Sequence, residues 1–187
     1  MYLWGSHLEG LEEFTHEFNK SIDFDKILFE EDITGSLAHV EMLSKKGIIG
    51  QEDFEIISKE LKNILEEVKS KKLEIDLKEE DIHSFVENEL TKRVGSVGKK
   101  LHTARSRNDQ CALDLRLYSK KVLAEINKDL KNLIKAIISL AEENKNTIMP
   151  GFTHMQHAQV TSFAHYILAY GQMFKRDIER LDRKSVV

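Results

Sequence analysis

The sequence predicts an all-α chain: a small N-terminal helical domain over residues 1–100, then the first long helices of a central bundle over residues 101–187. Three observations carry this. Only one proline, Pro150, interrupts the 187 residues. Alternation of β-branched and polar residues is scarce. Apolar residues recur at three- and four-residue spacing along most of the chain, the period of a helix with one buried face.

Ile33, Leu37, Val40 and Leu43 share such a face, which stops at Gly47, a C-terminal cap. Phe54, Ile57, Leu61, Ile64 and Val68 define a second helix. A shorter third carries Ile82, Phe85, Val86 and Leu90, with Asp81 as its N-cap. The intervening Leu73-Glu74-Ile75-Asp76-Leu77 alternates but reads as an extended connector. Val94-Gly95-Ser96-Val97-Gly98 is the expected hinge. From Arg107 to about Glu143 there is neither glycine nor proline, and Ile126, Leu130, Leu133, Ile137 and Leu140 keep the helical spacing. A helix of about 36 residues is ~54 Å long, against a diameter of roughly 40 Å for a compact chain of this size. It is therefore expected to pack against partner chains in a bundle. A fifth helix, with Phe163, Ile167, Tyr170, Phe174 and Leu181 on one face, follows the Pro150-Gly151 break.

Composition bounds the function classes. A chain with 32% charged residues and no apolar run near the roughly 18–20 residues of a membrane span is expected to be soluble. Met1-Tyr2-Leu3-Trp4-Gly5 lacks the basic and apolar blocks of a secretion signal. The single cysteine, Cys111, excludes an internal disulfide and fits a cytoplasmic protein; on a helix face it is expected to be a buried hydrophobe. A net charge of −4 argues against nucleic-acid binding. Yet Lys92, Arg93, Lys99, Lys100, Arg105 and Arg107 cluster between Thr91 and Asn108 with no acidic residue among them. That pattern fits either a local anion site or a solvated basic loop.

Two polar segments carry the chemistry. Leu101-His102-Thr103-Ala104-Arg105-Ser106-Arg107-Asn108-Asp109-Gln110 directly precedes or opens the long helix. Guanidinium matches a carboxylate in a two-point fork, and a helix N-terminus adds unpaired N–H groups and partial positive charge. The segment reads as a carboxylate or phosphate site, or alternatively as an elaborate cap salt-bridged to acidic helices. In Pro150-Gly151-Phe152-Thr153-His154-Met155-Gln156-His157-Ala158-Gln159, Thr153, His154 and Gln156 offer a hydroxyl, an imidazole and an amide; His154 can exchange protons near neutral pH. No Cys or carboxylate completes a ligand set for His154 and His157, so no metal is expected there. Earlier, Glu80-Asp81-Ile82-His83 opens the third helix, with His83 either a partner of Asp81 or a polar site group.

Leu3-Trp4-Gly5, Phe18-Asn19-Lys20-Ser21-Ile22, Glu80-Asp81-Ile82-His83 and the two polar segments occur in an order that resembles the argininosuccinate lyases, members of the fumarase/aspartase superfamily that share motifs with the lens δ-crystallins. The resemblance implies a reversible β-elimination of argininosuccinate to arginine and fumarate, in arginine biosynthesis, without metal or organic cofactor. It implies that His154 carries acid–base duty and that Ser21, Asp81, Arg107, Asn108, Thr153 and Gln156 contact or serve the substrate. It implies a homotetramer whose sites each combine motifs from three subunits, with no nucleic-acid or membrane partner. Gly5-Ser6-His7-Leu8, Ala104, His157 and Val160 depart from the resembled motifs; if residue 104 takes positive φ, its methyl group introduces strain. The flexible loop bearing the family's favoured basic serine is expected beyond residue 187, so this chain alone is expected to be inactive. The competing reading is a non-catalytic, crystallin-like structural or oligomerisation protein.

Overall fold

A computed structural model describes residues 13–182. The N-terminal arm with Leu3-Trp4-Gly5 and Ser6-His7-Leu8 lies outside the described residues. Helices α1 (Glu13–Asn19), α2 (Ile22–Asp25), α3 (Phe29–Lys45), α4 (Gln51–Lys69), α5 (Ile82–Val94), α6 (Arg107–Glu143) and α7 (Phe163–Leu181) account for most of it. Strands β1 (Ile148–Thr153) and β2 (Gln156–Ser162) form one antiparallel pair between α6 and α7. The all-α expectation holds for the body of the chain, and the hairpin is an addition that helical periodicity did not place. The chain divides into two compact units, residues 1–118 and 119–187, so the division falls inside α6.

In the first unit the faces read from the sequence meet as one core. Ile33, Val40 and Leu43 of α3, Ile57, Leu61 and Ile64 of α4, and Ile82, Val86 and Leu90 of α5 are buried together with Ile22 and Leu101. The end of α3 shows why its periodicity stops where it does. Gly47 takes a left-handed φ of 69°, its N–H bonds the Ser44 carbonyl, and Ile48 N–H bonds Leu43 at 2.9 Å. These are the two bonds of a Schellman cap, which satisfies the last carbonyls of the helix. Residues 73–77 form no strand, as expected. Arg93 ties α5 to α4 through Glu60 and Glu67 at 3.0 and 2.8 Å, and is braced within α5 by Glu89 at 2.8 Å.

The second unit buries less. Ile137, Ala141, Ala164 and Gly171 are its closed positions. A Cβ at Gly171 would stand 3.5 Å from Ile137 Cγ2, so α7 packs closely on α6 there. Many large apolar side chains remain open: Ile126, Leu133 and Leu140 on α6, Ile148, Phe152 and Val160 on the hairpin, Leu168, Tyr170 and Met173 on α7.

Candidate functional site

A polar stripe on α3 organises the first site. Asp32, Ser36 and His39 recur at helical spacing on the side of α3 that meets the segment opening α6. Asp32 accepts from Gln110 Nε2 at 2.5 Å, Ser36 Oγ accepts from Arg105 Nη1 at 2.8 Å, and His39 Nε2 contacts the Thr103 carbonyl at 3.0 Å. Gly35 makes this approach possible: a Cβ there would meet Leu113 Cδ2 at 2.9 Å and Asp114 Oδ1 at 3.5 Å.

The start of α6 is capped from within. Ser106 N–H donates to Asp109 Oδ1 at 2.8 Å, and Asn108 N–H donates to Ser106 Oγ at 3.3 Å, a reciprocal capping arrangement. Arg107, in the first turn, is held on three sides. Its Nη1 donates to Gln110 Oε1 at 3.0 Å, its Nη2 to Ser84 Oγ at 3.3 Å, and its Nε faces Asp81 Oδ2 at 3.2 Å. The Nε contact is a charge pair without aligned hydrogen-bond geometry, since Nε is buried with no bonded partner. Two of the five guanidinium donors are thus engaged, leaving donors for an incoming anion. Asp81 is the N-cap of α5, accepting from Ser84 N–H at 2.6 Å, as expected. Ser21 lies beside it: its N–H donates to the Glu80 carbonyl at 2.8 Å, and its hydroxyl donates to Asp25 Oδ2 at 2.6 Å. Asp25 in turn accepts from Ile82 N–H at 3.1 Å, and burial raises its carboxyl above the usual range. Ser21, Asp81 and Arg107 therefore gather at the N-terminal ends of α5 and α6, with Asn108 exposed in the same turn as Arg107. The basic segment forms the cap that one of its sequence readings expects, with Arg107 in the first turn beyond it.

Thr153, His154 and Gln156 belong to the second unit. Thr153 pairs with Gln156, so His154 and Met155 form a two-residue hairpin tip, with φ of 48° and 63°. Both values are positive, the pattern of a turn that matches strand twist and normally takes Asn-Gly. Histidine and methionine hold it at the cost of about 1–3 kcal/mol each. His154 is exposed at the tip. A bulge at Gly151/Phe152 shifts the register; a Cβ at Gly151 would press on the Gln159 carbonyl at 3.1 Å.

Two sequence expectations need correction or completion. Cys111 is exposed rather than a buried hydrophobe, although its Sγ reaches His83 Nε2 at 3.2 Å; desolvation followed by the charge of Asp81 raises its thiol pKa. His83, left open between two roles, pairs with Asp32 (Nδ1 to Oδ1, 2.8 Å) and not with Asp81. Asp32 and Asp114 are site groups that the sequence reading does not include; the spacing of Asp32 with Ser36 and of Gln110 with Asp114, each four apart on one helix face, is the available signal. Ala104 does take a left-handed φ, 54°. Ala104→Gly is therefore expected to stabilise the chain by about 0.5–1 kcal/mol, read as a higher urea midpoint at unchanged slope; an unchanged or lower midpoint would remove strain from the account.

The fold is shared with solved lyases. EDDS lyase in complex with formate superposes with a TM-score of 0.72 at 24% identity, over 90% of this chain and 32% of that one. The fumarate lyase:delta crystallin of Brucella melitensis superposes with a TM-score of 0.70 at 15% identity, over 91% of this chain and 45% of that one. The profile of the family described as Lyase matches residues 10–186, and the chain belongs to that family. Among curated relatives, the argininosuccinate lyase of Desulforamulus reducens is 50% identical over 97% of this chain and 40% of its own length. That of Streptococcus mutans is 51% identical over 95% of this chain and 39% of its own. The chain thus spans about 40% of the length of the curated relatives it matches.

Proposed function

We propose that this chain supplies the N-terminal site segments of an argininosuccinate lyase, splitting argininosuccinate into arginine and fumarate in arginine biosynthesis. The observation that carries the reading is Arg107, fixed in the first turn of α6 by Asp81, Ser84 and Gln110 with donors to spare, in a chain half identical to such lyases. In the reaction a base takes the proton beside a carboxylate of the succinyl group. The electron pair left on carbon becomes the C=C bond of fumarate as the C–N bond breaks, and the departing guanidino nitrogen takes a proton. Arg107 suits the carboxylate on which negative charge accumulates, and the α6 N-terminus adds to that stabilisation. Asp81 keeps the guanidinium turned. The hydroxyls of Ser21 and Thr153 and the amides of Asn108 and Gln156 complete the polar contacts. His154 moves the proton, at the tip of a hairpin that displays it. The reacting step calls on no metal or organic cofactor.

The assembly belongs to the same proposal: a cytoplasmic homotetramer with composite sites and no nucleic-acid or membrane partner. Among the described residues no helix is long and apolar enough to cross a membrane. Support for association comes from Ile126, Leu133, Tyr170 and Met173, each about two-fifths or more exposed, and from a two-stranded hairpin that is marginal by itself. Sedimentation of the chain at micromolar concentration is expected to show species larger than a monomer; a cooperative, well-folded monomer would overturn the assembly. The reaction is tested by mixing this chain with a full-length lyase disabled at its own counterpart of His154 and assaying fumarate release. The crystallin-like reading draws on the strain at Ala104, and inactivity of confirmed mixed tetramers would favour it.

A further inference from the structure

Behind the Arg107 site, three helices bring together a compact donor set. Asp32 of α3, His83 of α5 and Asp114 of α6 are each at most 2% exposed, and one ligand atom from each lies within 4.8 Å of the others. His83 Nδ1 stands 2.8 Å from Asp32 Oδ1 and 3.5 Å from Asp114 Oδ2. Only one of the four carboxylate oxygens has a hydrogen-bond partner. Asp32 Oδ2 and both oxygens of Asp114 are buried with none among the described residues. Arg105, the nearby cation, donates instead to Ser36. Buried carboxylate oxygens are costly without a compensating charge or donor, and orphaned groups in a native core mark a missing proton, water or ion. A cavity of about 10 Å³, lined in part by Asp32, His83, Arg105 and Gln110, adjoins the set and has room for about one water.

We propose that Asp32, His83 and Asp114 bind a divalent transition-metal ion of the Zn²⁺ type, with a water as the further ligand. Two carboxylates cancel the charge of the ion, and the imidazole favours Zn²⁺ or Co²⁺ over Mg²⁺ and Ca²⁺. Small side-chain rotations bring the donors to the 2.0–2.2 Å bonds such an ion takes. The outer contacts suit this role. With Nδ1 on the metal, His83 Nε2–H donates to Cys111 Sγ, 3.2 Å away, which fixes the tautomer. Gln110 bonds Asp32 through its amide nitrogen and accepts from Arg107 through its oxygen. The ion fastens α3, α5 and α6 behind the anion-binding arginine and takes no part in the reacting step.

The test uses the full 187-residue chain, stripped with chelator and titrated with Zn²⁺ or Co²⁺ alone. Saturating Zn²⁺ at about 100 times its dissociation constant is expected to raise Tm by roughly 5 °C or more, and equimolar Mg²⁺ to leave it unchanged. Co²⁺ is expected to give the visible absorption of a low-coordinate site. Asp114→Asn keeps the side-chain shape and is expected to remove the Co²⁺ band and weaken Zn²⁺ binding at least ~100-fold, whereas Cys111→Ser retains both. Failure of 1 mM Zn²⁺ to shift Tm overturns the proposal, as does an equal shift in wild type and Asp114→Asn; a shared proton or a water then fills the place assigned to the ion.

Discussion

In mixed tetramers with a full-length lyase disabled at its own counterpart of His154, the wild-type chain is expected to restore fumarate release, and the His154→Asn chain to leave it at least ~10²–10⁴-fold lower. The substitution is chosen on backbone grounds. His154 sits at a φ of 48°, in the region where asparagine is among the best-tolerated residues. Asparagine therefore keeps the hairpin tip and its polarity while removing a group that titrates near neutral pH. Chain stability and tetramer mass should be unchanged or slightly improved, so the lost rate reports proton transfer. Arg107→Ala in the same hybrids removes the carboxylate clamp and exposes Asp81 as an unpaired acid, and is expected to be as damaging. Arg107→Lys should recover little of it, because an ammonium keeps the charge but cannot face Asp81, Gln110, Ser84 and an anion at once. A mixed tetramer confirmed by mass that stays inactive with His154 and Arg107 intact would refute the lyase reading. Wild-type rates with His154→Asn would refute only the role given to that histidine.

Legibility of the chain followed the range of the interactions. The faces of α3, α4 and α5 were readable because each buries a three-four stripe, and α6 was readable at both ends because Ser106 and Asp109 cap its start and no glycine or proline interrupts it. Arg107 and Asp81 stood out as chemistry placed at helix starts, where local sequence says what a side chain can reach. The hairpin was hidden for an equally physical reason. Its turn has His154 and Met155 where Asn-Gly normally signals a two-residue loop, Pro150 suggests a break, and its strands carry exposed apolar residues without strict alternation. The buried cluster was out of reach because its contacts span 51 and 78 residues. Apolar periodicity gives no account of Asp32, a polar residue set beside Ile33 on a helix that otherwise reads as amphipathic.

The largest stability effect is expected at that residue. Asp32→Ala, studied in chelator-containing buffer so that no ion intervenes, should cost about 3–5 kcal/mol in urea unfolding, the range for breaking a buried charge pair. It removes the acceptor of both His83 Nδ1 and Gln110 Nε2 and leaves the imidazole 2% exposed with its strongest partner gone. The pH dependence gives a second reading of the same cluster. Burial alone would lower the His83 pKa, but the hydrogen bond and charge of Asp32 outweigh it and the net shift is upward. Desolvation, followed by repulsion from Asp32, pushes Asp114 up to about 7. Both groups therefore bind protons more tightly in the folded chain than in the unfolded one. Their contribution is complete below the unfolded pKa of each and is lost as pH rises through the folded one. Between about pH 4 and somewhat above pH 7, these two groups should make the metal-free chain progressively less stable. Asp114→Asn removes one titration and the repulsion behind it, so its stability profile should be flatter over this range, with the variant gaining on wild type as pH rises. A wild-type profile that climbs from pH 5 to 8 and is matched in slope by Asp114→Asn would show that this cluster does not set the pH dependence.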